Sequence, residues 1–573
     1  MTYRCILLKI FLVFALALSP NAHANENHSS ENQRYYDYIV VGVGSAGSIL
    51  ARKLSDRHES VLALDIGEFR YDDPVINAGT AQLFTNYNTL FFDPRYATVY
   101  PAPTGGLGQA LPYSEGGGTI GGGGAHNFMA AVRGTPPIYD SWAAATGDPR
   151  WLYDSLLPKM KAVEHFLPNG IPPDPTQRGF KGRIFIAQDP PLSTAPRTFY
   201  ANMASVTGST PSPDYNNPNF GINGLVLSAS QGFETSTGPT GQRSYSAKEF
   251  LPMSGPDAVI DMNGNGLHGR DLKVQQNARA LRFGIEDGRA ISVDYVLTKG
   301  NYDEVVTACL KEEGKLIIAN GSVQTPHLLI QSGVGPRATL DSLNIPVKVD
   351  SPQVGQNLIN QWGALPLICT GSTQVQEGEV FVNGSPFTTG YNDRRIQFIV
   401  AGTAPSTVPG CNGNILLVAT FLLEPNSRGT IDVVSNNPLL DPALNLNMYS
   451  DGSFATNGTD ANLIVSALKI LNATATASGF TMFNPPPATF LAGDAALFAW
   501  ATDLSNWIIE SHITGTARMG MTIADSVVDG RLKVHGLDNV YLGSNAAPPT
   551  IVNGNVNFQA YYLAEELAAI LGY

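Results

Sequence analysis

The chain has 573 residues, of which 43% are hydrophobic and 14% charged, so it can bury a large core and is not a disordered or fibrous protein. Its formal net charge of −13 argues against nucleic acid as a partner. The nine histidines and four cysteines form no cluster with metal-ligand spacing, so no metal site is predicted.

The first 24 residues have the pattern of a secretory signal peptide. Arg4 precedes an apolar stretch, Ile10–Ala17, and Ala22-His23-Ala24 has the small-x-small pattern of a signal-peptidase site. The apolar stretch is shorter than the roughly 20 residues that a membrane-spanning helix needs. The sequence therefore predicts a signal peptide over 1–24, cleavage before Asn25, a secreted or periplasmic protein, and no stable membrane insertion.

Residues 37–68 read DYIVVGVGSAGSILARKLSDRHESVLALDIGE: an apolar strand, a glycine turn, a helix, and a second strand that ends in an acid. Gly42 permits the tight turn, Gly44 lets a pyrophosphate approach the backbone, and Gly47 lets the helix pack closely on the strand. The helix N-terminus supplies N–H donors for phosphate. Asp65, at the end of the second strand, can accept the hydroxyls of an adenosine ribose. The pattern predicts a nucleotide-binding βαβ unit but does not distinguish FAD from NAD.

A glycine-rich segment follows, in which seven of the nine residues from Gly116 to Gly124 are glycine. No ordinary helix or strand tolerates this composition. The segment adjoins the apolar run FMAAV, which is not typical of a flexible surface linker. We therefore expect its backbone to press closely against another group.

The positions of the four cysteines determine which disulfides the mature protein could form in an oxidising compartment. Cys5 lies in the predicted leader, and Cys309, Cys369 and Cys411 remain after cleavage. In an oxidising compartment Cys369 and Cys411 could form a disulfide, which would leave Cys309, in a predicted strand, as a small buried hydrophobe. The sequence alone does not decide whether the pair is bridged.

Residues 321–335 read GSVQTPHLLIQSGVG and match, at every constrained position, the second signature of the glucose-methanol-choline (GMC) family of FAD oxidoreductases. Further segments resemble blocks of that family in the family's own order, so the resemblance spans nearly the whole mature chain. These segments are residues 119–134 with 139–142, 241–251, 271–283, 511–520 and 553–566.

The resemblance implies an α/β fold in which a Rossmann-type FAD-binding domain is interleaved with an α+β substrate domain built on an antiparallel sheet. We assign residues 34–160, 226–345 and 508–573 to the FAD-binding domain, and residues 161–225 and 346–507 to the substrate-binding domain. Within the latter, the runs IQFIVAGTA and ILLVATFLL are predicted strands of a sheet that covers the flavin.

The resemblance also assigns residues to the cofactor. The glycine-rich segment, with Gly121 and Gly122, is similar to the family's flavin loop, which Asn127 would hold to the cofactor. Ala278 stands where relatives touch the adenine. Ser544 stands where relatives usually have an aspartate, and its hydroxyl could replace the contacts of that carboxylate.

His126 has two open interpretations. Some relatives that resemble choline oxidase carry a histidine immediately before this asparagine, bonded covalently to the 8α-methyl carbon of the flavin. His126 precedes Asn127 in the same way. The alternative is a neutral, hydrogen-bonded imidazole beside the ring.

Oxidising an alcohol on a flavin requires removal of the hydroxyl proton and transfer of a hydride to flavin N5. Imidazole suits the first task at neutral pH, and His512, four residues before Thr516, matches the family's catalytic histidine. Asn555 matches the second position, where relatives carry histidine or asparagine, and would hydrogen-bond the developing alkoxide. Asn557, in the same NGNVN run, is its rival.

The resemblance favours FAD-dependent oxidation of a small-molecule alcohol, with oxygen or a quinone-like compound as the electron acceptor. One alternative is an enzyme similar to the FAD-containing hydroxynitrile lyases, which perform no net redox chemistry but tend to carry histidine at the position of Asn555. Another is a secreted binding protein that has lost catalysis, against which the presence of both His512 and Asn555 argues. Neither the alcohol, the oxidase or dehydrogenase type, nor the oligomeric state follows from the sequence.

Overall fold

The computed structural model describes residues 34–573 except 78–88, 90–91, 101–112, 170–171, 189–193, 209–210, 213, 215, 219–224, 228, 232–241, 301, 373–379, 385–393 and 407–409. The predicted signal peptide therefore lies outside the described residues. Within them, no helix combines the length and apolar character that crossing a membrane would require.

The protein is a mixed α/β structure, and its first large sheet has seven strands. One half of this sheet is parallel and the other half is antiparallel. Val61–Leu64 and the second half of Tyr35–Val41 are buried on both faces and are rich in Val, Ile and Leu, as expected for covered parallel strands. In spatial order the strands are Leu272–Gln275, Val61–Leu64, Tyr35–Val41, Tyr302–Ile318, Arg289–Lys299 and Ala278–Glu286, with Val540–Leu542 pairing on Tyr302–Ile318.

The predicted βαβ unit is present. Its strands Tyr35–Val41 and Val61–Leu64 are parallel neighbours, and the helix between them covers Gly47–Ser55. Ile49 and Leu50, on the buried face of this helix, are fully inaccessible to solvent. The unit therefore belongs to the main hydrophobic core.

The second large sheet has nine strands, nearly all antiparallel. It contains the two strands predicted from IQFIVAGTA and ILLVATFLL, as the antiparallel neighbours Ile396–Pro405 and Asn414–Leu422. The helix Asp460–Ala477 packs against it and shares a second hydrophobic core with it. The spatial order is Thr481–Asn484, Leu367–Cys369, Asn414–Leu422, Ile396–Pro405, Val380–Gly384, Leu225–Leu227 and Pro211–Ser212, with Trp362–Ala364 pairing on Asn414–Leu422 and on Trp507–Ile509.

Smaller elements complete the described part. Three of the smaller sheets have two strands each: Ala97–Tyr100 with Tyr113–Gly116, Val334–Gly335 with Val349–Asp350, and Thr430–Asp432 with Ala443–Asn445. In a three-stranded sheet, Ile184–Gln188 lies between Glu164–Leu167 and Ala229–Gln231. The remaining helices are Gly123–His126, Pro136–Thr146, Tyr153–Val163, Thr194–Thr207, Ser246–Phe250, Gly321–Gln331, Arg337–Ser342, Pro487–Ala492, Asp494–Ala501 and Asn557–Ile570, with 3₁₀ turns at Pro149–Trp151 and Leu504–Asn506.

The chain visits the two sheets alternately. It forms the second sheet at 211–227, returns to the first at 272–318, forms the second again at 362–509 and ends on the first at 540–542. The domain boundaries assigned from the sequence stay a prediction.

A disulfide joins Cys369 to Cys411, with their Cα atoms 5.7 Å apart. It ties the end of Leu367–Cys369 to the segment that leads into Asn414–Leu422. Cys309 is fully buried, as expected.

Candidate active site

One cavity gathers residues that are far apart in the sequence. Its wall includes the glycine turn of the βαβ unit, the glycine-rich segment, the start of the helix Gly321–Gln331 and two C-terminal segments. The predicted site residues that line it are Gly42, Gly44, Asp65, Gly122, His126, Asn127, Ala278, His512, Ser544 and Asn555.

Gly47 and Gly121 do not line the cavity and act behind its wall. A Cβ atom at Gly47 would overlap the carbonyl oxygen of Gly42, so glycine is required for the helix to approach the turn. Gly121, at φ +112°, lies against the ring of Tyr245, where a Cβ would be 2.6 Å from a ring carbon. Both glycines therefore allow close backbone packing.

Gly44 is open by comparison. A Cβ there would meet only the Cα of Gly122, at 3.8 Å. The glycine-rich segment thus packs on the βαβ turn, which is the close backbone approach that its composition indicates. Between the two segments, the backbone remains accessible from the cavity.

Asp65 braces the same turn. Its carboxylate accepts N–H bonds from Val43 at 2.6 Å and from Gly67 at 2.8 Å. Burial raises the pKa of Asp65 to about 6, and the two backbone hydrogen bonds oppose this rise. A carboxylate has about four acceptor positions, so Asp65 can still accept hydroxyl donors from the cavity.

Arg243 fixes the amide of Asn127. Its buried guanidinium donates to the side-chain oxygen of Asn127 at 2.6 Å and to the backbone oxygen of the same residue at 2.7 Å. The side-chain Nδ2 of Asn127 is buried, lines the cavity region and has no acceptor among the described residues. It is therefore available to a bound group.

His126, beside Asn127, is 2% exposed. Burial and, secondarily, the charge of Arg243 lower the pKa of His126 to about 3. The imidazole is therefore neutral at physiological pH. Arg243 lies in the segment 241–251, which resembles a block of the GMC family, but nothing in the pattern of that segment singled out this arginine.

His512 is held by two amides from the segment before Trp362–Ala364. Its backbone N–H donates to Asn360 Oδ1 at 3.0 Å, and its ring Nδ1 lies 2.7 Å from Gln361 Oε1. Gln361 Nε2 donates to the backbone oxygens of Leu423 and Val552, at 2.8 and 3.0 Å. These two bonds fix which end of the Gln361 amide is oxygen, so Nδ1 of His512 must carry the hydrogen.

The Nε2 atom of His512 is then left as the acceptor. Burial lowers the pKa of His512 to about 3, so the ring is neutral. Glu510 Oε2 is 3.7 Å from this nitrogen. Neither Gln361 nor Glu510 was predicted from the sequence, because neither belongs to a motif that points to a function.

The two candidate asparagines differ in their partners. Asn557 accepts a hydrogen bond from Ser45 at 2.7 Å and donates one to Tyr561 at 2.8 Å, so its amide joins the last helix to the βαβ turn. Asn555 is 8% exposed, lines the cavity, and its Oδ1 has no hydrogen-bond partner among the described residues. Of the two, Asn555 has the amide that is available to a ligand.

Two further predicted residues, Ala278 and Ser544, line the cavity wall. Ala278 is 1% exposed, and its N–H donates to the backbone oxygen of Asp65 at 2.7 Å. Ser544 Oγ lies 3.3 Å from Thr325 Oγ1, beside the start of the helix Gly321–Gln331. Both positions are brought to the cavity by strands of the first sheet.

A glycine turn at a helix start, a buried acid after the second strand and a long cavity beside them define a dinucleotide-binding protein of the Rossmann type. Family models of the GMC oxidoreductases match residues 36–362 and 425–564. The chain therefore belongs to the GMC oxidoreductase family, and it is an FAD-dependent oxidoreductase. The unpartnered amide atoms of Asn127 and Asn555 in the cavity wall are consistent with a polar cofactor and substrate there.

Named relatives cover almost the whole chain. It is 28% identical to an alcohol dehydrogenase (acceptor) from Pseudomonas putida, over 94% of this chain and 95% of the relative. It is 24% identical to an oxygen-dependent choline dehydrogenase from Staphylococcus aureus, over 95% and 94%. A solved formate oxidase variant from Aspergillus oryzae, studied for FAD modification, is similar with a TM-score of 0.76 and 20% identity, covering 94% of this chain and 98% of that chain.

Proposed function

We propose that the protein oxidises a small-molecule alcohol, with His512 taking the hydroxyl proton and Asn555 hydrogen-bonding the substrate oxygen. The observation that carries this proposal is the Gln361 amide, which leaves His512 Nε2 as an acceptor in the same cavity as the available amide of Asn555. The similarity to an alcohol dehydrogenase supports the substrate class.

The proton step is carried by the chain's own residues. The substrate O–H bond breaks, its proton moves to Nε2 of His512, and the electron pair stays on the substrate oxygen. Because the ring is neutral before the reaction, it is ready to accept a proton. Asn555 would stabilise the developing negative charge on that oxygen by donating a hydrogen bond from its side-chain Nδ2. FAD, when bound, accepts the hydride from the carbinol carbon.

Other cavity residues would hold the cofactor. The turn at Gly42 and Gly44, with the following helix, would bind the pyrophosphate, and Asp65 would bind a ribose. Ala278 would lie against the adenine. Gly122, Asn127 and Ser544 would contact the rest of the cofactor, and Gly47 and Gly121 would act indirectly by allowing the wall to pack.

His126 has the neutral imidazole that bond formation to the flavin requires, as a nucleophile must have a free lone pair. Acid precipitation decides between a covalent bond and a hydrogen bond. A yellow pellet would establish the bond, whereas a yellow supernatant over a colourless pellet would exclude it.

Export to an oxidising compartment is proposed on the leader pattern and on the disulfide between Cys369 and Cys411, since structural disulfides persist mainly in such compartments. N-terminal sequencing of the exported protein should then begin at Asn25. A retained leader would contradict the proposal.

The function is tested by anaerobic mixing of the purified flavoprotein with 1-butanol, benzyl alcohol, choline and D-glucose. At least one should bleach the flavin absorbance, and admission of air would then show whether oxygen restores it, as in an oxidase. A flavin that no alcohol bleaches would contradict the proposal and favour a lyase similar to the hydroxynitrile lyases.

A further inference from the structure

Glu510 places a carboxyl group beside the proposed base. It follows the strand Trp507–Ile509, lines the cavity, and its Oε2 lies 3.7 Å from Nε2 of His512. Its side chain is 16% exposed. Its backbone N–H donates to the backbone oxygen of Gln361 at 3.1 Å, which fixes the position of Glu510 relative to the residue that holds His512. Among the described residues, we find no hydrogen-bond donor on the carboxyl oxygens.

This position matters because of the charge that the reaction creates. Once His512 has taken a proton, a positive imidazolium lies in a site where burial alone lowers its pKa to about 3. Gln361 contributes only a neutral amide oxygen on the other side of the ring. An unpaired charge in such a site is costly, and an opposite charge within about 4 Å offsets much of that cost.

We propose that Glu510 is ionised in the reactive enzyme and stabilises the imidazolium form of His512 during proton transfer. Glu510 acts through His512 and takes no proton from the substrate itself. The inference rests on the proposed function, since it presupposes that His512 is the base.

The proposal predicts an unusual origin for the pH dependence. Burial lowers the pKa of His512 to about 3, so we expect a rise in rate near pH 7 to come from another group. Burial raises the pKa of Glu510 to about 7. Because the ionised carboxylate is the active form, flavin reduction should speed up as pH rises through this value and then reach a plateau.

Other titratable groups line the same cavity. Burial also raises the pKa of Glu115, on the adjacent strand Tyr113–Gly116, to about 7. The remaining titratable groups are Asp65, Tyr100, His126, and the ion pair of Arg279 with Asp441 at 2.7 Å. Glu115 is therefore the other carboxyl whose titration must be separated from that of Glu510.

The test is anaerobic stopped-flow reduction of the flavin from about pH 5.5 to about pH 9, with the fastest of the four alcohols named above. Wild-type enzyme should show the rise near pH 7. Glu510→Gln should show a flat profile, with a plateau on the order of tenfold or more below that of wild type, because the counter-charge is gone. Glu510→Asp, which keeps the charge, should retain a rise.

Glu115→Gln is the matched control, because it removes a carboxyl with a similar pKa from the same cavity, and this carboxyl accepts a hydrogen bond from Tyr113 and forms no ion pair with His512 among the described residues. It should keep the pH-dependent rise whatever its plateau. A wild-type rise and plateau in Glu510→Gln would overturn the proposal. So would an intact rise with weaker alcohol binding, which would make Glu510 a substrate-binding group.

Two proposals can fail separately: the role of Glu510 and the proposed function with His512 as the base. If His512→Ala abolishes reduction while Glu510→Gln behaves as wild type, only the role of Glu510 is wrong. If His512→Ala reduces its flavin normally, or if none of the four alcohols bleaches the wild-type flavin, the proposed function falls and this inference falls with it.

Discussion

At the scale of single residues, the least expected feature is how firmly His512 is oriented. The sequence predicted the histidine itself because it stands in a recognisable segment, SHITGTARMG. It could not predict Gln361, which is 151 residues away. Gln361 orients His512 only because two backbone oxygens fix the orientation of its amide. A partner of this kind is defined by tertiary contacts and leaves no local pattern.

Gln361→Leu tests this orientation. The substitution removes the acceptor for Nδ1–H of His512, so flavin reduction by alcohol should slow by roughly tenfold or more, within the range of general-base effects. It also removes the Gln361 donor from the backbone oxygens of Leu423 and Val552, of which Val552 keeps the N–H of Gly554. This loss should lower the free energy of unfolding by about 1–3 kcal/mol. Stopped-flow reduction and denaturant unfolding measure the two effects. Lower stability with an unchanged reduction rate would show that Gln361 is only structural.

Substitutions can also distinguish the roles of Asn555 and Asn557. Asn555→Ala should slow flavin reduction by about a hundredfold, as loss of one oxyanion donor does. Stability should change little, since Oδ1 of Asn555 bonds to none of the described residues.

Asn557→Ala is the matched comparison for Asn555→Ala. It breaks the bonds to Ser45 and Tyr561 and should lower the free energy of unfolding by about 1–2 kcal/mol. Slowed reduction in Asn557→Ala with normal reduction in Asn555→Ala would reverse the assignment.

At the scale of elements, the βαβ turn is where sequence and structure correspond most closely. Strand, turn, helix and second strand are all present, and the helix begins at Gly47. The turn could be predicted from the local sequence because each of its glycines is needed for a steric reason within the turn itself. What it could not indicate is that the glycine-rich segment would pack on Gly44, since that contact joins elements almost eighty residues apart.

Two glycines of this turn should respond differently to alanine. At Gly47 the new Cβ would overlap the carbonyl oxygen of Gly42, so Gly47→Ala should lower stability by about 1–3 kcal/mol. At Gly44 the Cβ has room in the protein, so Gly44→Ala should fold normally but bind less flavin, because the pyrophosphate can no longer approach the backbone. Thermal unfolding and the flavin-to-protein absorbance ratio check both. Full flavin content in Gly44→Ala would contradict a cofactor role for that position.

At the scale of the whole molecule, composition and motifs predicted the mixed α/β class, the antiparallel strands and the family. They could not predict which elements pair, since register in a sheet depends on partners that are distant in the chain. The strand Tyr302–Ile318 shows this. Its first half pairs with the antiparallel strand Arg289–Lys299, and its second half pairs with the parallel strands Tyr35–Val41 and Val540–Leu542.

The cavity is also a property of the whole molecule, because its wall joins residues from Val41 to Ala560. The proposed base, the proposed alkoxide donor and the nucleotide turn meet there only once both sheets have formed. The central claim is therefore that this one cavity holds the cofactor and performs proton removal at His512.

Anaerobic flavin reduction in His512→Ala tests that claim most directly. The variant should bind flavin as wild type does, because His512 is proposed to act on the substrate, but an alcohol that reduces the wild-type flavin should reduce the variant roughly a hundredfold more slowly or worse. His268→Asn, at an exposed histidine with φ +54° outside the cavity, is the control and should reduce normally. Flavin reduction in His512→Ala at the wild-type rate would contradict the account.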